Sequence, residues 1–374
     1  MQKLIYILAF FSLLSVSCNN KNICTINGTL DNTEDSTILY LADLETFNIV
    51  DSLVVVNGSF SHKMQLSHPE KFVLHNKRNR NEFRDRKFVW LEPSDITING
   101  DFNFLKNLKV NGSVSNLEFE KYNQLLDTTT KRINTLQEHI HLKSEDEKVT
   151  DQITIDSLRE ELNSKIVHFM MNHNKSYVFL SELHSECYLG FRHLNKEQIK
   201  NVFNNFSNEL KGRVKGIEIQ KYLELPDPPK IGDMAPEIIQ VTPSGDTVKL
   251  SDYKGKYVLL DFWSSSCGPC RGEFKGLRKL YSKYNPKGLE IFGVSGDISK
   301  RRWVDAIKQD SIPWVNISDL KGWKNEAFLL YDVKMIPKKF LINPEGVIIK
   351  DSFSEYSVEY ELNKIFEIKN GLQL

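Results

Sequence analysis

The run Tyr257-Val258-Leu259-Leu260-Asp261-Phe262-Trp263 is almost free of polar residues, and it leads directly into Ser264-Ser265-Ser266-Cys267-Gly268-Pro269-Cys270. An apolar run of this length suits a central strand covered on both faces, which a sheet layered with helices supplies. Beyond it, Phe274, Leu277, Leu280 and Tyr281 recur at helical spacing. Cys267 therefore stands where a strand hands over to a helix. The unpaired amides and the dipole at such a helix end stabilise a thiolate. Pro269 is tolerated there, because first-turn amides have no partner to lose. Cys270 follows three residues later on the same helical face, within reach of Cys267.

A Cys-x-x-Cys pair has two bland readings. Half of a zinc site would need a second Cys or His pair, and Cys18, Cys24 and Cys187 are each single and far away in sequence. A purely structural disulfide in so short a ring restrains little chain. The strand–turn–helix setting favours redox chemistry carried by the thiols themselves, with no metal and no cofactor.

The rest of the chain divides around this segment. From Ile231 to Leu374 strands and helices alternate, the pattern of an α/β domain. Pro226-Asp227-Pro228-Pro229 cannot continue a helix and marks residues 226–230 as a linker. Residues 115–225 read as helical. Ile155, Leu158, Leu162, Ile166 and Phe169 form one apolar stripe, open as a core face or a dimer seam, and Ile199, Val202, Phe203, Phe206 and Leu210 form another. Asn195 and Gln198 resemble a capping box at the start of the second. Residues 18–114 read as a small all-β, sandwich-like domain of short strands. Asn27-Gly28, Asn57-Gly58, Asn99-Gly100 and Asn111-Gly112 serve as its turn signals. Ser52–Val56 and Ser59–Ser61 read as a hairpin about Asn57-Gly58. The loop from His75 to Lys87 carries six Lys or Arg, which suits a solvated loop or an acidic partner. Cys187 reads as a buried thiol, and a bridge to Cys24 is open.

Lys3 precedes an apolar stretch from Leu4 to Leu14, too short to span a bilayer and suited to a secretory signal over residues 1–17. Leu14-Ser15-Val16-Ser17-Cys18 resembles a bacterial lipobox, although Ser15 stands where a large aliphatic residue is usual. That resemblance implies lipidation of Cys18, a membrane held through the lipid, and a body in the cell envelope. Forty-nine basic residues balance 49 acidic ones in the 374-residue chain, which argues against nucleic acid as a partner.

Asp261-Phe262-Trp263 through Cys267-Gly268-Pro269-Cys270-Arg271 resembles the thioredoxin signature, and Val333-Lys334-Met335-Ile336-Pro337 resembles that family's cis-proline loop. The long interval between Cys270 and Pro337, with a helix expected over Arg301–Gln309 and a strand over Trp314–Ile317, is similar to the TlpA/ResA-like envelope branch. Ile49-Val50-Asp51-Ser52, Gly58-Ser59-Phe60 and Asn111-Gly112-Ser113 resemble an N-terminal domain of unknown function found in Bacteroidetes lipoproteins. The resemblance implies a thiol–disulfide oxidoreductase acting on protein disulfides and fed by a membrane-embedded electron donor. Cys267 attacks and Cys270 resolves. Asp261 or Glu273 accepts the proton of Cys270, Ile336 and Pro337 bind the substrate backbone, and Trp263 either shields the site or belongs to the core. Two other readings stay open. A thiol peroxidase would share the fold, but Leu260 occupies the position of its loop proline. An envelope binding lipoprotein would use the β and helical regions, residues 23–225, and keep the cysteines as a subsidiary site.

Overall fold

The computed structural model describes residues 22–44, 48–76, 85–140, 143–188, 193–352 and 355–366. The signal sequence, Cys18 and most of the basic loop, residues 77–84, lie outside the described residues. The chain forms two compact units, one running to Glu138 and taking in Ser176–Val178, the other made of His139–Lys175 and Phe179–Leu374.

Among the described residues the first unit holds eight strands: β1 Ile23–Asp31, β2 Ile38–Asp43, β3 Ile49–Val54, β4 Ser59–Gln65, β5 Glu70–His75, β6 Arg86–Leu91, β7 Asp95–Asp101 and β8 Lys109–Asn111. They make two four-stranded sheets, ordered β4-β1-β7-β8 and β3-β2-β5-β6. Cys24, Ile26 and Leu30 alternate inward from β1 and meet Leu39, Leu41, Leu74 and Leu91 of the other sheet in one core. The expected sandwich is present. Helix α1, Val114–His139, follows it.

Two local readings change. The Asn57-Gly58 turn exists, with left-handed φ of 51° and 71° and a bridge between Val56 and Ser59. It does not close a hairpin, because β3 pairs with β2 and β4 pairs with β1. The turn carries the chain from one sheet to the other, so Leu53, Val55 and Phe60 all enter the same core. Asn27-Gly28 and Asn99-Gly100 are not turns but lie within β1 and β7. Gly28 answers a close approach: a Cβ there would meet the Phe60 ring at 2.3 Å and the Ile98 carbonyl oxygen at 2.2 Å.

The second unit opens with helices α2 Glu145–Met171, α3 Tyr177–Tyr188, α4 Lys196–Asn205, α5 Asn208–Lys211 and α6 Val214–Glu224, of which Tyr177 and Val178 belong to the first unit. Ile155, Leu158, Leu162 and Ile166 are buried within the chain, so that stripe is a core face. Asn195 and Gln198 exchange side-chain-to-amide hydrogen bonds of 2.9 Å, the capping box expected of α4. The second stripe is shared by two helices, because Phe206 turns extended and Ser207 caps α5. All five of its residues are nonetheless buried.

The α/β part then runs β9 Ile239–Val241, β10 Thr247–Lys249, β11 Tyr257–Trp263, α7 Gly268–Tyr284, β12 Leu289–Ser295, α8 Lys300–Gln309, β13 Val315–Ile317, α9 Glu326–Leu330, β14 Lys338–Ile342, β15 Ile348–Ser352 and α10 Glu355–Phe366. Its five-stranded sheet has the order β13-β12-β11-β14-β15. β11 lies at the centre, parallel to β12 and antiparallel to β14. Alternation sorts its side chains: Leu259 and Trp263 pack with α7, while Val258, Leu260 and Phe262 face the other layer. The result is a thioredoxin-like α/β domain, and the helix and strand expected between Cys270 and Pro337 are α8 and β13.

Candidate active site

Cys267 ends the loop that leaves β11 and caps α7. Its sulfur accepts the amide of Cys270 at 3.1 Å, where a serine or aspartate oxygen would otherwise sit. Gly268 and Pro269 open the helix, and the two sulfurs are joined in a disulfide with Cα atoms 5.3 Å apart. Cys267 keeps 9% of its surface exposed and Cys270 only 2%, so Cys267 is the less buried of the pair.

The loop ahead of Cys267 is held from two sides. The Asp297 carboxylate accepts the amide of Ser265 at 2.8 Å and also its hydroxyl. Arg271 grips Asp310 through Nε at 2.6 Å and Nη2 at 3.1 Å, which ties the first turn of α7 to the end of α8. The peptide bond between Ile336 and Pro337 is cis, and Ile336 packs against the cluster that contains both cysteines. Trp263 is fully buried there, edge-on to Phe274, and its indole nitrogen donates to Asn316 Oδ1 at 2.9 Å.

Strand alternation puts Asp261 on the same face of β11 as Leu259 and Trp263, the face that packs on the cysteines. Its carboxyl is wholly buried, and burial pushes its pKa up against the pull of Lys339. Lys339 was not among the residues the sequence singled out. It lies opposite Asp261 in the pairing of β14 with β11, on the same face as Leu341, and is 1% exposed. Its ammonium donates to Glu273 Oε2 at 2.5 Å and stands 3.5 Å from Asp261 Oδ1. The structure thus brings both candidate carboxylates to one buried lysine. The clue in the sequence was the pair Lys338-Lys339 at the mouth of an apolar strand, but which face each lysine takes depends on strand register. Lys338 pairs with Asp351 at 2.8 Å.

Cys24 and Cys187 are both fully buried and neither is in a disulfide, so the bridge left open between them is not made. Among the described residues no His, Cys, Asp and Glu cluster has the makings of a metal site.

Residues 231–350 match the AhpC/TSA family, and residues 24–119 match a domain of unknown function, DUF4369. The thiol-disulfide oxidoreductase ResA of Bacillus cereus is 31% identical over 150 residues, covering 40% of this chain and 85% of that protein. ResA of Bacillus subtilis is 34% identical over 119 residues, which cover 32% of this chain and 65% of that protein. The crystal structure of the thioredoxin domain of a thiol-disulfide oxidoreductase from Bacteroides vulgatus is 33% identical and covers 37% of this chain and 99% of that one, with a TM-score of 0.35.

Proposed function

The chain belongs to the ResA-like thiol–disulfide oxidoreductases, and from that premise we propose that it works as a membrane-tethered reductase of protein disulfides in the cell envelope. The observation that carries the reading is the place of Cys267: the N-cap of α7, bonded through its sulfur to Cys270, a more buried residue one turn in. In the reduced protein the amides and dipole at that helix end favour the thiolate. Cys267 attacks a substrate disulfide and forms a mixed disulfide, and Cys270 then attacks Cys267 and frees the reduced substrate. The cis Ile336–Pro337 segment is the surface on which a substrate backbone pairs. Trp263 supports the pair from the core.

The Gly268-Pro269 dipeptide supports the reducing direction, since it matches thioredoxin, whose potential of about −270 mV lies toward the reducing end. Electrons then reach the site from a membrane-embedded donor, and Cys18 provides the tether through its lipid. A thiol peroxidase has less support, because Leu260 is paired on both sides within β11, where its loop proline would break the ladder.

A Cys270→Ser variant expressed in the envelope tests the reading. Disulfide-linked adducts on Cys267 that dithiothreitol releases support it. Absence of adducts, together with undiminished turnover of the variant, would remove the two-cysteine mechanism. Equilibration with glutathione then fixes the direction, and a potential near about −120 mV would mark an oxidase instead.

A further inference from the structure

We propose that the open edge of β6 is a docking site, at which an acidic, extended segment of a partner protein adds to the sheet as a further strand. The inference is independent of the redox reading, and every residue it uses belongs to the first unit.

β6 ends the sheet β3-β2-β5-β6 and pairs with β5 on one side only. Trp90 shows which of its residues face the other side. The Trp90 amide donates to Asn116 Oδ1 at 3.4 Å, and its carbonyl accepts the hydroxyl of Ser113 at 3.0 Å. Both backbone groups of Trp90 therefore point away from β5, and its pair with Lys71 is a non-hydrogen-bonded one. The next pair of that kind along the ladder is Phe88 with Val73. The other side of the sheet agrees. Asp43 donates its amide toward β3, to the carbonyl of Asn48, so its neighbour Ala42 bonds to Val73 on the β5 side. Phe88 thus turns its N–H and C=O outward. At Trp90 two side chains satisfy these groups, whereas at Phe88 no described residue does. Such an edge is a template for another strand.

Beside Phe88 the edge opens into a cleft of about 210 Å³, whose walls include Arg86, Lys87, Lys106, Phe119 and Glu120. Cations stand over its aromatic rings: Lys71 Nζ lies 4.0 Å from the centre of Phe119, and the Arg86 guanidinium 5.5 Å from that of Phe88. Lys106 comes from the helical turn Phe102–Asn107, and its carbonyl accepts the Lys87 ammonium at 3.5 Å. Two carboxylates belong to the same surroundings. Asp85 accepts the amides of Leu105 at 2.8 Å and Lys106 at 3.2 Å, and Glu120 accepts from Asn116 Nδ2 at 3.0 Å. Lys71, Arg86, Lys87 and Lys106 outnumber them and leave the cleft positive.

The charge selects the occupant. A second copy of β6 would bring the same cations to the edge and be repelled. An acidic strand is attracted instead. Its main chain bonds to Phe88, and its alternate side chains lie on the face that carries Arg86. Arg86 and Lys87 are the described end of the basic run that begins after His75, a feature for which the redox chemistry has no use.

The probe is a fluorescein-labelled peptide of alternating glutamate and valine, about eight residues long, and fluorescence anisotropy with the full-length protein is the readout. Binding is expected. The same peptide methylated on every backbone nitrogen keeps its charges but cannot donate to the Phe88 carbonyl, and it should bind at least about tenfold more weakly. A lysine–valine peptide should not bind. Lys87→Glu/Lys106→Glu should weaken the glutamate peptide by at least about tenfold. Should that variant not fold, amide exchange at Phe88 of the wild-type protein, read by NMR with isotopically labelled phenylalanine, decides the matter. The glutamate peptide should slow that exchange at least about tenfold. Equal binding of the methylated or the lysine peptide, unchanged affinity in the double variant, Phe88 exchange that the peptide does not alter, or absence of binding each overturns the proposal.

Discussion

Asp297 and Ser265 are joined twice, the carboxylate of the first accepting both the amide and the hydroxyl of the second. The pair spans from the loop after β12 to the loop after β11, two residues before Cys267. Ser295 adds its hydroxyl at 2.7 Å to the same carboxylate. The loop that leads to Cys267 is thus held from the neighbouring strand as well as from its own helix.

Asp297→Ala removes the acceptor for all three donors. A loss of about 2–4 kcal/mol in folding stability is expected, since hydrogen bonds to a charged group contribute about 1.5–3 kcal/mol each and water recovers part. The first thiolate release should slow more than the second, because the loop carries Cys267 and not Cys270. Urea denaturation measures the first effect, and single-turnover reduction of dithiobisnitrobenzoate, which releases one coloured thiolate in each step, measures the second.

Asp261→Asn should stabilise the disulfide form more as pH rises. The folded pKa of Asp261 lies above its ordinary value because of burial. The native state therefore binds the proton more tightly than the unfolded chain, and Asp261 costs stability progressively as pH climbs from about 3.9 to the raised folded value. The variant's advantage should be small near pH 4 and should grow as pH rises until it levels off above the raised folded value, as read from denaturation midpoints. A constant difference across that range would mean Asp261 is not the buried titrating group.

His184 gives the opposite slope. Burial pushes its pKa down to about 4, against the hydrogen bond to Glu218 and with help from Lys215 and Lys324. At neutral pH the 2.5 Å contact is a hydrogen bond from neutral imidazole to the carboxylate, not an ion pair. A depressed pKa means stability present above about 6.5 and lost as pH falls toward about 4, worth about 3 kcal/mol over that window. Calorimetry of wild-type and His184→Leu protein between those values should show the acid loss only in the former.

Cys18→Ala should leave the protein soluble after cell lysis or block its processing, whereas the native protein should stay with membranes through high salt. Fractionation followed by immunoblotting reads this directly. Salt extraction of the native protein would end the lipid-anchor reading.

What could be read from the sequence was what depends on neighbours in the chain. The strand before Cys267, the cap it makes, the capping box at Asn195 and the proline after Ile336 are each fixed within a few residues. What could not be read depends on register and on distant approach. Lys339 meets Asp261 only because β14 runs antiparallel beside β11 at one alignment. Asn27-Gly28 reads as a turn until Phe60, from another strand, is found to need the space above Gly28. The same holds for Asn57-Gly58, whose turn is local but whose two strands belong to opposite sheets.

The uneven burial of the two cysteines, 9% against 2% exposed, has a kinetic consequence. On the proposed two-cysteine reading, a thiol that reduces this pair and a disulfide that oxidises it both act at Cys267, the less buried of the two. On that reading donor and acceptor exclude one another, and the protein would alternate between two covalent forms with no ternary complex between them. Steady-state turnover with both partners varied should follow a ping-pong law, with each partner inhibiting competitively against the other at high concentration.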